Sequence, residues 1–233
     1  MYLITICIPV FNKINFTLSC LKDLFRQSEK EVEVIVVDNA STDNTQAEMQ
    51  KIESSNFRYI RNDTNLGFGK ACNIAYANAS SDIVCFLNND IRVKNDSWLY
   101  TLINAVEDNY LVGPTGGFVD PKQDFKFLYE TSDTNKPYNY VSGWCLAGKK
   151  DTWNKLHIPR KDNSSMPQIF DEDYWLYYED TDASMRSTKL GIKFKLIDIP
   201  VVHFGRISSS QVNTNKWYNT SRQIFLKKWQ HNK

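Results

Sequence analysis

Continuous apolar runs and apolar residues at helical spacing alternate along most of this chain. Leu3 to Val10 is apolar and β-branched and predicts a strand starting almost at residue 1. Ile14, Leu18, Leu21, Leu24 and Phe25 then recur every three or four residues, the stripe of a helix lying on a sheet. Val32 to Val37 predicts a second strand, closed by the polar tract Asp38 to Thr45. That tract offers several N-caps for a short polar helix running to about Ile52. Phe57 to Ile60 predicts a short third strand, and a turn-rich loop from Asn62 to Lys70 opens an alanine-rich helix, Ala71 to Ala79. Ile83 to Leu87 is apolar without helical spacing, which reads as a strand buried on both faces. Strands alternating with helices over the first 90 residues imply an α/β fold with a mainly parallel sheet.

The second half is less regular. Asp96 precedes an amphipathic helix carried by Trp98, Leu99, Leu102, Ile103 and Val106. Leu111 to Gly117 turns back towards the sheet, and 118 to 138 has no periodicity. Tyr140 to Gly148 reads as one strand, Asp151 to Leu156 as a short helix, and His157 to Gln168 as a mobile surface loop. The aromatic run Tyr174 to Tyr178 leads into Glu179-Asp180-Thr181-Asp182, which opens a helix stopped by Gly191. Phe194 to Ile197 and Pro200 to Phe204 predict strands. Asn213 to Lys228 alternates aromatic and basic residues on a helical pattern. No internal repeat or interdomain linker is visible, so 1–233 is expected to form a single domain.

Composition narrows the function classes. With 42% hydrophobic and 13% aromatic residues, 233 residues can bury a substantial core. A net charge of +1 gives no global pull towards nucleic acid or an anionic membrane. The five cysteines (Cys7, Cys20, Cys72, Cys85, Cys145) are scattered and form no C-x-x-C pair; they read as reduced core residues of a cytoplasmic protein. The apolar start lacks a basic flank and stops at Pro9, too soon for a signal peptide. No apolar run approaches membrane-spanning length.

Candidate chemistry gathers at strand ends. The strand Ile83–Leu87 runs into Asn88, Asn89 and Asp90 where, in an open α/β sheet, ligands bind. A carboxylate flanked by amides there suits a hard cation carrying phosphate, although the same residues taken alone make an ordinary turn. The first strand is not followed by a glycine-rich turn, which counts against a dinucleotide-binding oxidoreductase.

Several stretches line up in order and spacing: Ile8-Pro9-Val10-Phe11-Asn12, Val37-Asp38-Asn39-Ala40-Ser41-Thr42-Asp43, Asn65-Leu66-Gly67-Phe68-Gly69 and Leu87-Asn88-Asn89-Asp90, then Gly143-Trp144-Cys145-Leu146, Tyr178-Glu179-Asp180-Thr181-Asp182 with Arg186, and His203 before Phe204-Gly205-Arg206. The pattern resembles the family 2 glycosyltransferases, especially their rhamnosyltransferase-like branch, over roughly residues 3 to 206. The resemblance implies a single GT-A domain with a nucleotide-binding half (1–90), an acceptor-binding half (91–206) and a C-terminal helix (207–233). It further implies inverting transfer of a sugar from a dTDP- or UDP-sugar, with dTDP-rhamnose a candidate, to a hydroxyl of a glycan or lipid-linked acceptor in surface-polysaccharide assembly.

By that resemblance Pro9, Phe11 and Asp38 hold the base and ribose, Asp38 accepting from the base's imide N–H, while Asn65, Gly67, Lys70 and Asn89 complete the nucleotide site. Asn88-Asn89-Asp90 occupies the family's D-x-D position with its first aspartate replaced, so Asp90 becomes the main ligand of a Mg²⁺ or Mn²⁺ ion, helped by His203. Asp180, or Glu179 beside it, would take the acceptor proton, its pKa raised by Tyr174, Trp175, Tyr177 and Tyr178. Gly143, Trp144 and Cys145 would line the sugar and acceptor pocket. Asp182 and Arg186, four apart, read as a structural ion pair. The tail reads either as an interfacial helix, which would put the protein at the inner membrane face, or as a closing helix packed on the domain; the second is preferred. A glycoside hydrolase would use paired carboxylates without a nucleotide cradle. A sugar nucleotidyltransferase, or a non-catalytic nucleotide-sugar-binding module on the same fold, remains the alternative.

Overall fold

Seven consecutive buried residues, Ile4–Val10, form β1, an interior strand of the main sheet in a computed structural model that describes residues 2–26, 31–161, 164–205 and 212–230. Alternation decides where each side chain goes. Ile4, Ile6 and Ile8 of β1 pack under helix α1 (Ile14–Phe25), whereas Cys7 faces the opposite layer. The same division holds in β2 (Val32–Asp38), with Val34 and Val36 on one face and Ile35 and Val37 on the other. In β4 (Ile83–Leu87), Cys85 and Leu87 oppose Val84 and Phe86. Helices α1 and α4 (Ser97–Ala105) cover one face. Helices α3 (Phe68–Asn78), α5 (Lys150–Asn154) and α6 (Glu179–Lys189) cover the other, giving a three-layer α/β/α sandwich.

The sheet also contains β3 (Phe57–Arg61), β6 (Tyr110–Gly113), β10 (Cys145–Lys149) and β11 (Lys193–Leu196), in the order β11-β6-β10-β4-β1-β2-β3. Every pairing is parallel except those of β10, which runs antiparallel to both β4 and β6. A short helix, α2 (Thr45–Met49), connects β2 to β3. Helix α3 begins at Phe68, three residues earlier than its alanine pattern indicates, because Gly67 at φ 86° turns the chain directly into it. Gly191, at φ 69°, ends α6: its N–H reaches the Thr188 carbonyl and that of Ile192 reaches Ser187.

Three features depart from the sequence reading. The stretch from Tyr140 to Gly148 is not one strand. It breaks at Ser142 and Gly143 into β9 (Tyr140–Val141), which joins a small separate sheet, and β10 of the central sheet. The aperiodic segment after Gly117 is a hairpin, β7 (Gly116–Asp120) and β8 (Lys126–Thr131), in a sheet of order β8-β7-β9. Beyond Asp90, β5 (Ile91–Val93) pairs antiparallel with β12 (Val201–His203) and brings His203 opposite Ile91. The segment after His157 is tied down in part: buried Arg160 makes a two-pronged ion pair with Glu172, at 2.6 and 2.9 Å. All five cysteines are free and buried.

The C-terminal helix α7 (Thr214–Gln230) closes the domain as a packed element. Phe225 and Trp229 are buried in a third cluster with Phe125, Tyr140, Tyr174 and Tyr178. Asp182, fully buried, anchors this helix. It accepts from Trp229 Nε1 at 2.9 Å and lies 2.8 Å from Lys228 Nζ, while Arg186 Nε donates to its other oxygen at 2.8 Å. The Asp182–Arg186 pair is therefore structural and extends to the last helix. Among the described residues no helix is long and apolar enough to cross a membrane.

Candidate active site

The C-terminal ends of β1, β2 and β4 open onto one cleft of about 680 Å³. Pro9, Phe11, Asn39, Asn65 and Gly67 line it on the side of β1 and β2; Asn88, Asn89, Asp90 and His203 lie at the end of β4; Gly143, Trp144, Glu179 and Asp180 continue the wall towards the small sheet.

On the nucleotide side the backbone is tightly fitted. A Cβ on Gly67 would fall 2.4 Å from the Trp175 carbonyl oxygen. The Gly67 carbonyl accepts from Asn39 Nδ2 at 3.0 Å, and its N–H donates to Asn65 Oδ1 at 3.0 Å. Asn39, buried, also accepts from Asn62 at 2.8 Å, so this one carboxamide holds the strand end and the loop together. The sequence reading singled out its neighbour Asp38 instead, and there the structure differs. Asp38 is fully buried and does not reach the cleft wall. Its Oδ1 accepts from the Ser41 N–H at 2.8 Å; its Oδ2 accepts from the Tyr59 hydroxyl at 2.6 Å and pairs with Arg61. Burial and this carboxylate push the Tyr59 hydroxyl up to about 12. In this arrangement both carboxylate oxygens of Asp38 are engaged by protein groups behind the cleft wall.

Two further expected residues also lie elsewhere. Lys70 sits on α3 with its ammonium 3.5 Å from Glu172. Cys145 starts β10 with its side chain in the core, because β10 alternates and Trp144, the residue before it, takes the cleft position. Asn89 lines the cleft but spends its amide on Thr17 Oγ1, 2.8 Å away.

At the end of β4, His203 Nε2 lies 3.1 Å from Asp90 Oδ1 and 3.3 Å from Asn88 Nδ2. The imidazole stacks on Trp144, ring centres 4.5 Å apart and 12° from parallel, and the Phe204 N–H donates to the Asp90 carbonyl at 2.9 Å. Asn88 Oδ1 is buried with no hydrogen-bond partner. A carboxylate, an imidazole and an unsatisfied carboxamide oxygen at one strand end fit a divalent cation. Among the described residues no three His, Cys, Asp or Glu side chains cluster in metal-binding proximity, so a diphosphate or water would have to complete the coordination. Arg206, part of the expected Phe204-Gly205-Arg206 context, lies outside the described residues.

The acidic pair opens α6 after a strained entry: Tyr177 and Tyr178 both adopt left-handed φ, 68° and 69°. Such conformations cost about 1–3 kcal/mol each and persist where surrounding structure enforces them. Here they turn Glu179 and Asp180 into the cleft. Asp180 Oδ2 accepts from the Gly143 N–H at 2.8 Å, and Oδ1 accepts from the Thr181 N–H at 2.6 Å. A side chain at 143 would crowd the Asp180 Cβ at 3.1 Å, so glycine is what lets the backbone come close enough to carry this bond. Burial raises the Asp180 pKa against these hydrogen bonds. Burial, with the Asp180 charge second, raises Glu179 well above the usual carboxylate range, and Glu179 Oε2 is buried without a partner. Of the four aromatic residues expected to surround the pair, Trp175, Tyr177 and Tyr178 line the cleft; Tyr174 turns away, its hydroxyl 3.4 Å from Asp182.

The sequence reading missed Phe127 and Glu130 on β8 and Tyr218 on α7, all of which line the same cleft. Nothing local marks them, since β8 has no periodic pattern and Tyr218 is one aromatic in an aromatic-rich helix.

The family model for Glycosyl transferase family 2 matches residues 5–175, and the chain belongs to that family. It is a glycosyltransferase with the GT-A fold. Two Escherichia coli relatives, WfgD and WfaP, are each named a UDP-Glc:alpha-D-GlcNAc-diphosphoundecaprenol beta-1,3-glucosyltransferase. WfgD is 24% identical over 95% of this chain and 84% of its own length, and WfaP 30% identical over 96% and 84%. GlyA of Streptococcus pneumoniae is 29% identical over 66% of this chain, which spans only 25% of GlyA. Among solved structures, Staphylococcus aureus TarS 1-349 with UDP-GlcNAc aligns at TM-score 0.61 and 20% identity, over 96% of this chain and 65% of that one. The mannosyltransferase PcManGT from Pyrobaculum calidifontis, with GDP-Man and Mn²⁺, aligns at 0.59 and 16%, over 83% and 54%. These two likenesses bear on the fold alone.

Proposed function

We propose that the chain transfers a hexose, with inversion, from a UDP- or dTDP-sugar to a hydroxyl of a lipid-linked saccharide. The observation that carries this reading is the meeting of Asp90, His203 and Asp180 in one cleft whose other wall is the Gly67 cradle. Pro9 and Phe11 would flank the base, and the backbone at Asn65 and Gly67 would approach the ribose and diphosphate. Asp90 and His203 would hold a Mn²⁺ or Mg²⁺ ion, which when bound supplies charge to offset the leaving diphosphate. Asp180 would accept the acceptor proton as the acceptor oxygen bonds to the anomeric carbon and the bond from that carbon to the diphosphate oxygen breaks on the opposite face. The Gly143 and Thr181 donors hold its carboxylate in one rotamer for that task. The raised pKa brings its basicity closer to neutral pH, where proton transfer is more favourable.

For the acceptor, the names of WfgD and WfaP support a saccharide on a diphospho-polyprenol. They also favour uridine, whereas the Asn-Leu-Gly-Phe-Gly and Asn-Asn-Asp stretches favour dTDP-rhamnose. Calorimetry with UDP, dTDP and GDP, each with and without Mn²⁺, separates these. Binding of UDP or dTDP that strengthens with Mn²⁺ is expected, and failure of all three to bind with metal present would overturn the reading.

A further inference from the structure

Beyond the acidic pair the cleft continues between β8 and the start of α7, where nothing expected from the sequence is placed. Phe127 and Tyr218 line this part and are 48% and 41% exposed, two of the seven large hydrophobic side chains left open among the described residues. Tyr218 is held by its neighbours: its hydroxyl is 3.2 Å from that of Tyr178, and its ring lies 5.5 Å from Tyr178 and 6.0 Å from Tyr177. Glu130 is fixed as well, accepting from the Ser142 hydroxyl at 2.5 Å, next to the Gly143 that binds Asp180. One ring held by its neighbours and a second exposed ring in the same cleft as a fixed carboxylate suit a sugar: its C–H face lies on the aromatics and its hydroxyls donate to the carboxylate.

We propose that Phe127, Tyr218 and Glu130 form an acceptor-sugar subsite that selects an uncharged sugar over an acidic one. This rests on the transferase reading above and adds the acceptor class to it. Glu130 and Asp180 stand on the same wall, so a uronic acid would bring a third carboxylate beside them. At a separation of about 6 Å and an intermediate effective dielectric, one such repulsion is on the order of tenfold in affinity.

The test is ligand-observed NMR titration of the full chain, saturated with UDP or dTDP and Mg²⁺. The probes are octyl glycosides of glucose, galactose, rhamnose and N-acetylglucosamine, set against octyl glucuronide and octyl galacturonide. At least one neutral glycoside should bind roughly tenfold more tightly than either uronide. Tyr218→Ala and Phe127→Ala should each weaken that binding about fivefold, and Glu130→Gln should narrow the neutral-to-acidic preference at least threefold. Phe127→Ala removes an exposed ring and keeps the inference testable should Tyr218→Ala unfold. Equal binding of uronides, no binding of any neutral glycoside to the nucleotide-loaded protein, or indifference to both aromatic substitutions would overturn the subsite. Failure of the protein to take up any diphosphate would instead sink the transferase reading itself.

Discussion

Gly67 offers a strong test of the way the nucleotide wall is built. Replacing it by alanine places a Cβ 2.4 Å from the Trp175 carbonyl oxygen, an overlap with backbone that no rotamer relieves. Residue 67 also has φ 86° and ψ 170°, a region that glycine alone occupies freely, at a cost on the order of 1–3 kcal/mol for any other residue. The displaced carbonyl accepts the Phe68 N–H at 2.9 Å, the first donor of α3; losing that bond adds about 1 kcal/mol. The sum is roughly 2–4 kcal/mol. At about 2–4 °C per kcal/mol for a protein of this size, melting should fall by roughly 5–15 °C. UDP or dTDP affinity should fall at least about tenfold, because the same shift moves the Asn39 bond to the Gly67 carbonyl. Gly191→Ala is the control: its φ is 69° but nothing lies within 4 Å, so only the backbone preference, roughly 1 kcal/mol, is lost. Thermal melts and nucleotide calorimetry on both variants decide the matter. A Gly67→Ala protein no less stable than Gly191→Ala, with unaltered nucleotide affinity, refutes the reasoning.

Asp180→Asn keeps an acceptor for the Gly143 N–H but removes the base; turnover should fall at least about 100-fold with diphosphate affinity within twofold, and unchanged turnover in a radiolabelled-sugar assay eliminates Asp180. Asp90→Ala should abolish the Mn²⁺-dependent gain in nucleotide affinity while Asn88→Ala reduces it only in part; equal losses in calorimetry would show the cation assignment to be wrong. Glu179 has a folded-state pKa above its unfolded value, so the native state binds the extra proton and stability falls as pH rises through that window. Glu179→Gln should therefore gain stability relative to the parent at pH 7.5 but not at pH 4, read from urea melts; a difference that is the same at both pH values refutes this.

The sequence by itself determined the layers and the positions of several strand ends. The continuous apolar runs of β1, β2 and β4 mark strands buried on both faces, and the stripe of α1 marks the helix face that packs on them, because apolar residues must turn to a core whatever that core is. The short motifs at strand ends, and with them Asp90, His203, Glu179 and Asp180 as candidates, were legible through their order and spacing, which resemble the family's. Apart from Arg186 four residues after Asp182, the sequence did not show which protein groups each carboxylate meets. Only the tertiary structure sends Asp38 to Tyr59 and Arg61, Asp90 to His203, Asp180 to Gly143 and Asp182 to Trp229. Those partners come from separate elements, most of them far along the chain. Likewise Phe127, Glu130 and Tyr218 join the cleft only because β8 pairs with β7 and α7 packs across Tyr178. Such contacts depend on long-range packing, which leaves no periodic trace in the residues that make them.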